Sequence, residues 1–334
     1  MGCGHQTKES EATPLKSMTP TRTPPVAGES TAPAEATKDA TRPSPTDQRK
    51  VWIDGQIVEA RDAKISVYDH GLLYGDGVFE GIRVYHGRIF ECDAHLDRLW
   101  ASAKAIRLTI PLSRDEFKAA MEETVRANGF RDCYIRAVVT RGVGYLGLNP
   151  NKCPKASAFV IADLIQMYPR EMYEQGMPVI TASVIRNHPN AVSPRVKSLN
   201  YLNNILAKIE AVDAGVPEAI MLNHEGNVSE CSGDNIFIVR GGQVQTPGTA
   251  DGILEGITRK VILELCRKLG VPAAEKTLQR HDLYVADECF LTGSAAEVVP
   301  VTRIDNRSVG NGKPGPVTVK LIEAFRRHVK EVAG

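Results

Sequence analysis

Apolar residues return at strand and helix spacings along most of this chain, but only from Val51 onward. Val51-Trp52-Ile53 and Gln56-Ile57-Val58 flank Asp54-Gly55, a pair that suits a two-residue hairpin because both turn positions accept positive φ. A second hairpin is predicted with arms Val78 to Tyr85 and Arg88 to Glu91, turning at His86-Gly87. Leu96, Leu99, Trp100, Ala103 and Ile106 then recur at helical spacing. Ser113-x-x-Glu116 is a capping box for another helix, which runs through Val125 and stops near Gly129. Tyr134 to Thr140 and Ala158 to Ala162 read as strands.

The polar stretch 165–176, with Pro169 and Gly176, interrupts the pattern and places a linker at 169–176. Beyond it, Met177 to Ile185 reads as a strand, and Leu202, Ile205, Leu206 and Ile209 mark a helix ended by Gly215 and Pro217. Strands follow around Ala219 to Leu222, Asn235 to Val239 and Gln243 to Thr246. Val261, Ile262, Leu265, Cys266 and Leu269 stripe one helix up to Gly270, and a last helix spans about Val317 to Val332. The prediction is an α+β protein of two mixed domains, a smaller one over 49–168 and a larger one over 177–334, without internal repeats.

Composition changes the picture mainly at the N-terminus. Residues 1–48 hold seven of the chain's 20 prolines and nine threonines, with only Met1, Leu15, Met18 and Val26 as larger apolar side chains, so they are expected to be a disordered tail. Met1-Gly2-Cys3 looks like an acylated start, but Gln6 stands where that motif needs Ser or Thr, which makes the match accidental. The whole chain carries 41 basic and 40 acidic residues, leaving no bulk field for nucleic acid or an anionic membrane. No run approaches the ~20 apolar residues of a membrane span. Seven scattered cysteines, without a C-x-x-C pair, read as reduced thiols, and the expectation is a cytoplasmic protein.

Metal and serine-hydrolase chemistry find no motif, and the glycines of Gly75-Asp76-Gly77 run into a strand rather than a nucleotide loop. Three features of the second half suit one cofactor instead. Gly256-Ile257-Thr258 opens an amphipathic helix whose free N–H groups and hydroxyl could hold a phosphate. Thr292-Gly293-Ser294-Ala295-Ala296 offers a second turn with donors. Lys197 lies in a loop before a helix, where an amine can form a Schiff base. Each feature alone also reads as a helix cap, a plain turn or a surface lysine.

Together these segments resemble the fold-type IV, or class IV, pyridoxal-phosphate aminotransferases over residues 51–332. The signature stands as Glu230-Cys231-Ser232-Gly233-Asp234-Asn235-Ile236-Phe237, then Val244-Gln245-Thr246, then Leu254-Glu255-Gly256-Ile257-Thr258-Arg259. Tyr74-Gly75-Asp76-Gly77-Val78-Phe79-Glu80-Gly81, His95-Leu96-Asp97-Arg98-Leu99 and the segment from Lys197 to Asn204 match in order and position. The resemblance implies that Lys197 holds pyridoxal 5'-phosphate and moves the substrate's α-proton. It implies that Glu230 pairs with the pyridine nitrogen, that Arg98, Ile257, Thr258 and Ser294 grip the phosphate, that Tyr201 bonds the ring's phenolic oxygen and that Leu254 packs on the ring face. Ser294 stands where Thr is commoner, and its hydroxyl still donates.

Within the family, Tyr134-Ile135-Arg136 is similar to the Tyr-x-Arg of branched-chain aminotransferases, whose substrate carboxylate also meets backbone N–H groups of the segment matching Ser294-Ala295-Ala296. Tyr74, Phe79, Tyr134 and Tyr201 would wall an apolar side-chain pocket. D-amino-acid aminotransferases carry Arg-x-His instead, and Val138 occupies that His place. The implied reaction transfers the amino group of L-leucine, L-isoleucine or L-valine to 2-oxoglutarate. A D-amino-acid aminotransferase or an aminodeoxychorismate lyase of the same fold is the alternative; a non-catalytic scaffold has no need of Lys197, Glu230 and phosphate donors in register. The loop Gly144-Tyr145-Leu146-Gly147-Leu148-Asn149-Pro150 resembles one that family members extend toward the partner subunit's site, which implies a homodimer or higher homo-oligomer with active sites near the interface.

Overall fold

A computed structural model describes residues 48–333 together with Met1, Gly2 and Gly4. The tail expected over residues 1–48, with its Met1-Gly2-Cys3 start, otherwise lies outside the described residues.

Strands β1 (Lys50–Ile53) and β2 (Gln56–Glu59) form the first hairpin, with Asp54 and Gly55 at φ 46° and 98°. Helix α1 (His70–Tyr74) precedes β3 (Gly77–Tyr85) and β4 (Arg88–Ile89). The second arm of that hairpin is shorter than its sequence suggests, because Glu91 turns left-handed (φ 49°) to open α2 (Cys92–Ala105). Both halves of the capping box are present at α3 (Arg114–Ala127). With β5 (Cys133–Thr140) and β6 (Ser157–Asp163) the six strands build an antiparallel sheet ordered β2-β1-β6-β5-β3-β4. Leu99 of α2 and Phe117 and Met121 of α3 are fully buried in one cluster with Ile82 and Ile135 of the sheet. Each such side chain contributes roughly 1.5–3 kcal/mol.

Helix α4 (Arg170–Gln175) occupies the segment read as a linker and leads into β7 (Met177–Thr181). The strand read through Ile185 ends at Thr181, since the N–H groups of Ser183 and Val184 turn to the Glu210 carboxylate of α5 (Leu202–Asp213), at 2.6 and 3.1 Å. Next come β8 (Glu218–Leu222), β9 (Val228–Cys231), β10 (Asn235–Arg240), β11 (Gln243–Thr246), α6 (Ile257–Lys268), β12 (Ala273–Glu275) and α7 (Arg280–Tyr284). The chain closes with β13 (Glu288–Gly293), β14 (Glu297–Ile304), β15 (Arg307–Ser308) and α8 (Pro316–Ala333). The second sheet has nine strands, ordered β12-β11-β10-β13-β14-β7-β8-β9 with β15 on β14. Strands β13 and β14 lack the polar alternation that betrays a strand, because they lie mid-sheet and are buried almost throughout.

Helices α6 and α8 pack on this sheet through Ile262 and Phe325 against Phe237 and Phe290. Helix α5 packs through its small side chains, Ala207 and Ala211, on Ala219 and Met221. The apolar stripe that marks α5 in the sequence faces the other way: Leu202, Ile205, Leu206 and Ile209 are 67, 52, 45 and 48% exposed.

Candidate active site

Lys197 lies in the loop between β7 and α5, and backbone hydrogen bonds fix that loop to the first sheet. Phe79 N–H donates to the Lys197 carbonyl and Leu199 N–H to that of Gly77, both at 3.0 Å, while Lys197 N–H donates to Ser102 Oγ at 3.1 Å. The side chain is aimed as a result: its Nζ donates to the Tyr201 hydroxyl at 3.0 Å and sits 4.6 Å from the Phe79 ring centre. Both face a cavity of about 300 Å³ between the two sheets.

Twelve of the thirteen residues singled out in the sequence line this cavity: Arg98, Lys197, Tyr201, Glu230, Leu254, Ile257, Thr258, Ser294 and Ala295, with Phe79, Tyr134 and Arg136. Tyr74 does not. Its ring packs edge-on against His70 at 5.0 Å and its hydroxyl accepts from Gly147 N–H at 3.1 Å, which holds it on the exposed surface beside the 144–150 loop.

Groups able to bind an anion gather at the start of α6. Gly256, its N-cap, makes no side-chain cap, so the first-turn N–H groups stay available to a ligand. A Cβ at Gly256 would stand 1.9 Å from Asn235 Oδ1, so only glycine fits there. Arg98 reaches this turn from α2 with its Nη1 on the Glu255 carbonyl at 2.7 Å, while Nε and Nη2 grip the Glu80 carboxylate at 2.7 and 2.8 Å. Two of the guanidinium's five N–H donors are left for an anion. Glu80 also accepts from His95 Nδ1 at 2.8 Å and is fully buried. Burial pushes its carboxyl up, but the Arg98 charge and the hydrogen bonds from Arg98 and His95 outweigh this and hold it below the usual carboxylate range. A charged residue inside the buried run of β3 is a visible signal of such pairing, one the sequence reading passed over.

Glu80→Gln is therefore expected to lower stability by about 3 kcal/mol at neutral pH, because it leaves Arg98 without its buried partner. A group whose folded pKa is depressed stabilises above its unfolded value and loses that contribution as pH falls. The gap between wild type and variant, measured by urea unfolding at equal protein concentration, should close as pH drops below about 4. A gap of constant size would show that Glu80 acts by packing alone.

Glu230 lies at the end of β9, where Arg186 Nε donates to Oε1 at 2.9 Å and Asn235 Nδ2 and Leu254 N–H donate to Oε2, both at 3.0 Å. Burial pushes its carboxyl up, against the pull of the Arg186 charge and these donors. A carboxylate offers about four lone-pair sites, so three donors leave one for a ring nitrogen. Sequence reading missed Arg186 and Asn235; the lone basic residue after Val184-Ile185 was the available signal for the first. On the opposite wall, the Arg136 guanidinium lies over Phe79 at 4.4 Å. A Cβ on Gly81 would stand 1.7 Å from the Tyr134 hydroxyl, so glycine there makes room for Tyr134. Thr292 Oγ1, on the same cavity, is buried without a hydrogen-bond partner among the described residues. An amine beside a hydroxyl, anion donors at a helix start and a buried carboxylate fit a phosphorylated pyridine aldehyde.

Fold and site thus define an enzyme that handles amino groups on a carbonyl cofactor. The chain belongs to the class IV aminotransferases: the amino-transferase class IV family matches residues 77–304. A Methanocaldococcus jannaschii protein provisionally named branched-chain-amino-acid aminotransferase is 52% identical, across 83% of this chain and 95% of its own. The branched-chain-amino-acid aminotransferase of Pseudomonas aeruginosa is 42% identical, across 82% and 91%. The D-alanine aminotransferase of Listeria monocytogenes is 37% identical, across 85% and 98%. Among solved structures, a T.th. branched-chain amino acid aminotransferase with pyridoxamine 5'-phosphate matches with TM-score 0.82 and 40% identity, over 85% of this chain and 95% of that one. The same enzyme with N-(5'-phosphopyridoxyl)-L-glutamate matches with TM-score 0.81.

Proposed function

We propose that this aminotransferase moves the amino group of L-leucine, L-isoleucine or L-valine to 2-oxoglutarate, using pyridoxal 5'-phosphate held by Lys197. The carrying observation is the wall of Phe79, Tyr134 and Arg136, where two aromatic faces suit a branched aliphatic chain and the guanidinium stacked on Phe79 suits the second carboxylate of 2-oxoglutarate. Pyridoxal phosphate, when bound, supplies a ring that takes up the electron pair released at the substrate's α-carbon. The chain's own groups do the rest. Arg98, the first-turn N–H groups of α6, Thr258 and Ser294 hold the phosphate, while Leu254 and Tyr201 orient the ring. Glu230, where the Arg186 charge opposes the upward push of burial, would hold a proton at the ring nitrogen. Lys197 Nζ, beside the Tyr201 hydroxyl, takes the α-proton and returns it. The N–H groups of Ser294 and Ala295, in the turn between β13 and β14, receive the substrate carboxylate.

A cytoplasmic homodimer is part of the proposal. Its support is the exposed apolar surface of Leu72, Val143, Tyr145, Leu146 and Leu148, together with the outward stripe of α5. Tyr74 belongs to that surface, so its place in a substrate pocket would depend on a second copy. The six described cysteines are free, and no helix among the described residues is long and apolar enough to cross a membrane. The two sheets support domains at 49–168 and 177–334, joined through 169–176.

Initial rates with 2-oxoglutarate decide the substrate. L-Leucine, L-isoleucine and L-valine should each exceed D-alanine by at least about tenfold in kcat/KM, the discrimination that about 1.4 kcal/mol provides. Faster turnover of D-alanine would overturn this reading in favour of the D-amino-acid one, which has the Listeria relative on its side.

A further inference from the structure

Two buried carboxylates that the chemistry above does not use sit on the cavity wall. Glu218 and Asp234 are 1% and 4% exposed, and both line the cavity. Tyr168 joins them: its hydroxyl is 3.1 Å from Asp234 Oδ2 and 3.5 Å from Glu218 Oε2. Their surroundings are unequal. Glu218 Oε1 accepts from Ala219 N–H at 2.7 Å, from Ser232 N–H at 3.1 Å and from the Ser232 hydroxyl, and its Oε2 accepts from Lys208 Nζ at 3.2 Å. Among the described residues, the Asp234 carboxyl has the Tyr168 hydroxyl alone. Two negative charges here would face one cation, and that lysine is 40% exposed. One proton is therefore retained, and the donor count puts it on Asp234, because Glu218 is the better-solvated anion.

The position of Asp234 makes that proton matter. Its Oδ1 lies 2.0 Å from where a Cβ on Gly293 would stand, directly against the turn that leads into Ser294 and Ala295. We propose that Asp234 is a substrate-binding residue that works as the neutral acid, keeping negative charge away from the Ser294–Ala295 turn so that a substrate carboxylate can dock there. The inference rests on the reading of that turn as the carboxylate site.

Other charges around Asp234 do not replace the proton. Glu218 of β8 and Glu230 of β9 repel an ionised Asp234, as a Cys231 thiolate would, and Tyr168 and Tyr173 are neutral groups. Lys208 of α5 is committed to Glu218, while Lys197, Arg98 and Arg136 border other parts of the cavity. Burial, followed by the charge of Glu218, pushes the Asp234 carboxyl up to about 7. The site should hence lose affinity for carboxylates as pH rises through neutrality.

The test uses the holoenzyme and two probes whose carboxylates stay ionised from pH 6 to 9: 4-methylpentanoate, which is the leucine skeleton without its amine, and 2-oxoglutarate. Dissociation constants are read from the change in cofactor absorbance or by competition. For each probe that binds, the constant should rise on the order of tenfold between pH 6 and pH 8. Asp234→Asn should flatten that rise. Tyr168→Phe, which removes a hydrogen bond favouring the ionised form, should move it to higher pH and serves where the Asn variant does not fold. A flat wild-type profile, or an unchanged slope in a folded Asp234→Asn protein, overturns the inference. Binding of 2-oxoglutarate alone counts against the branched-chain reading and leaves this test intact, whereas binding of neither probe overturns both.

Discussion

Lys197→Ala should abolish transamination while leaving a folded protein. The reason lies in how the lysine is held. Its backbone is fixed by one hydrogen bond from Phe79 N–H and by one to Ser102 Oγ, both of which alanine preserves. Its amine alone meets the Tyr201 hydroxyl in the cavity. Proton transfer by a positioned side chain is worth roughly 10²–10⁴-fold, and loss of the covalent attachment adds to that. Turnover should fall at least that far. Lys208 also lines the cavity, but its amine is engaged by Glu218 at 3.2 Å. Borohydride reduction of the wild-type holoenzyme followed by peptide mapping should accordingly place the pyridoxyl group on Lys197. Label on Lys208, or substantial activity in the alanine variant, would sink the assignment.

Glu230→Gln should retain the cofactor, whose phosphate donors lie elsewhere, yet lower kcat by about 10²–10³-fold, the usual cost of removing one partner of developing charge. An amide of the same shape can still accept from Asn235 or Leu254, but it cannot hold a proton on a ring nitrogen. It also leaves Arg186 buried without its counter-charge, so a lower unfolding temperature should accompany the kinetic loss. The two effects separate in a single-turnover reaction with leucine at low temperature, where all molecules are folded. Near-normal turnover there would mean that the ring nitrogen needs no carboxylate in this enzyme.

Both residues were legible in the sequence because the family signature around them is local: Lys197 opens a run of eight matched residues, and Glu230 begins another. Their partners were not. Arg186 and Glu230 are 44 residues apart, and nothing in either segment states that the two side chains meet. Asp234 stands inside the signature, but its character depends on Glu218 and Tyr168, which come from two other parts of the chain.

Local chemistry therefore decided the elements. Asp54-Gly55 accepts positive φ and turns a hairpin, Ser113 and Glu116 satisfy each other's backbone, and Gly256 opens a helix whose donors stay free. Each depends on residues within one turn of the chain, so the sequence alone determines it. Packing decided what long-range pairing must settle. The apolar stripe of α5 faces outward because the helix packs on β8 through its small side chains Ala207 and Ala211, and Tyr74 stands outside the cavity, where its hydroxyl accepts from Gly147 N–H. Periodicity reports that a helix has an apolar face, but the element that can approach it closely enough is chosen only when the sheets are assembled.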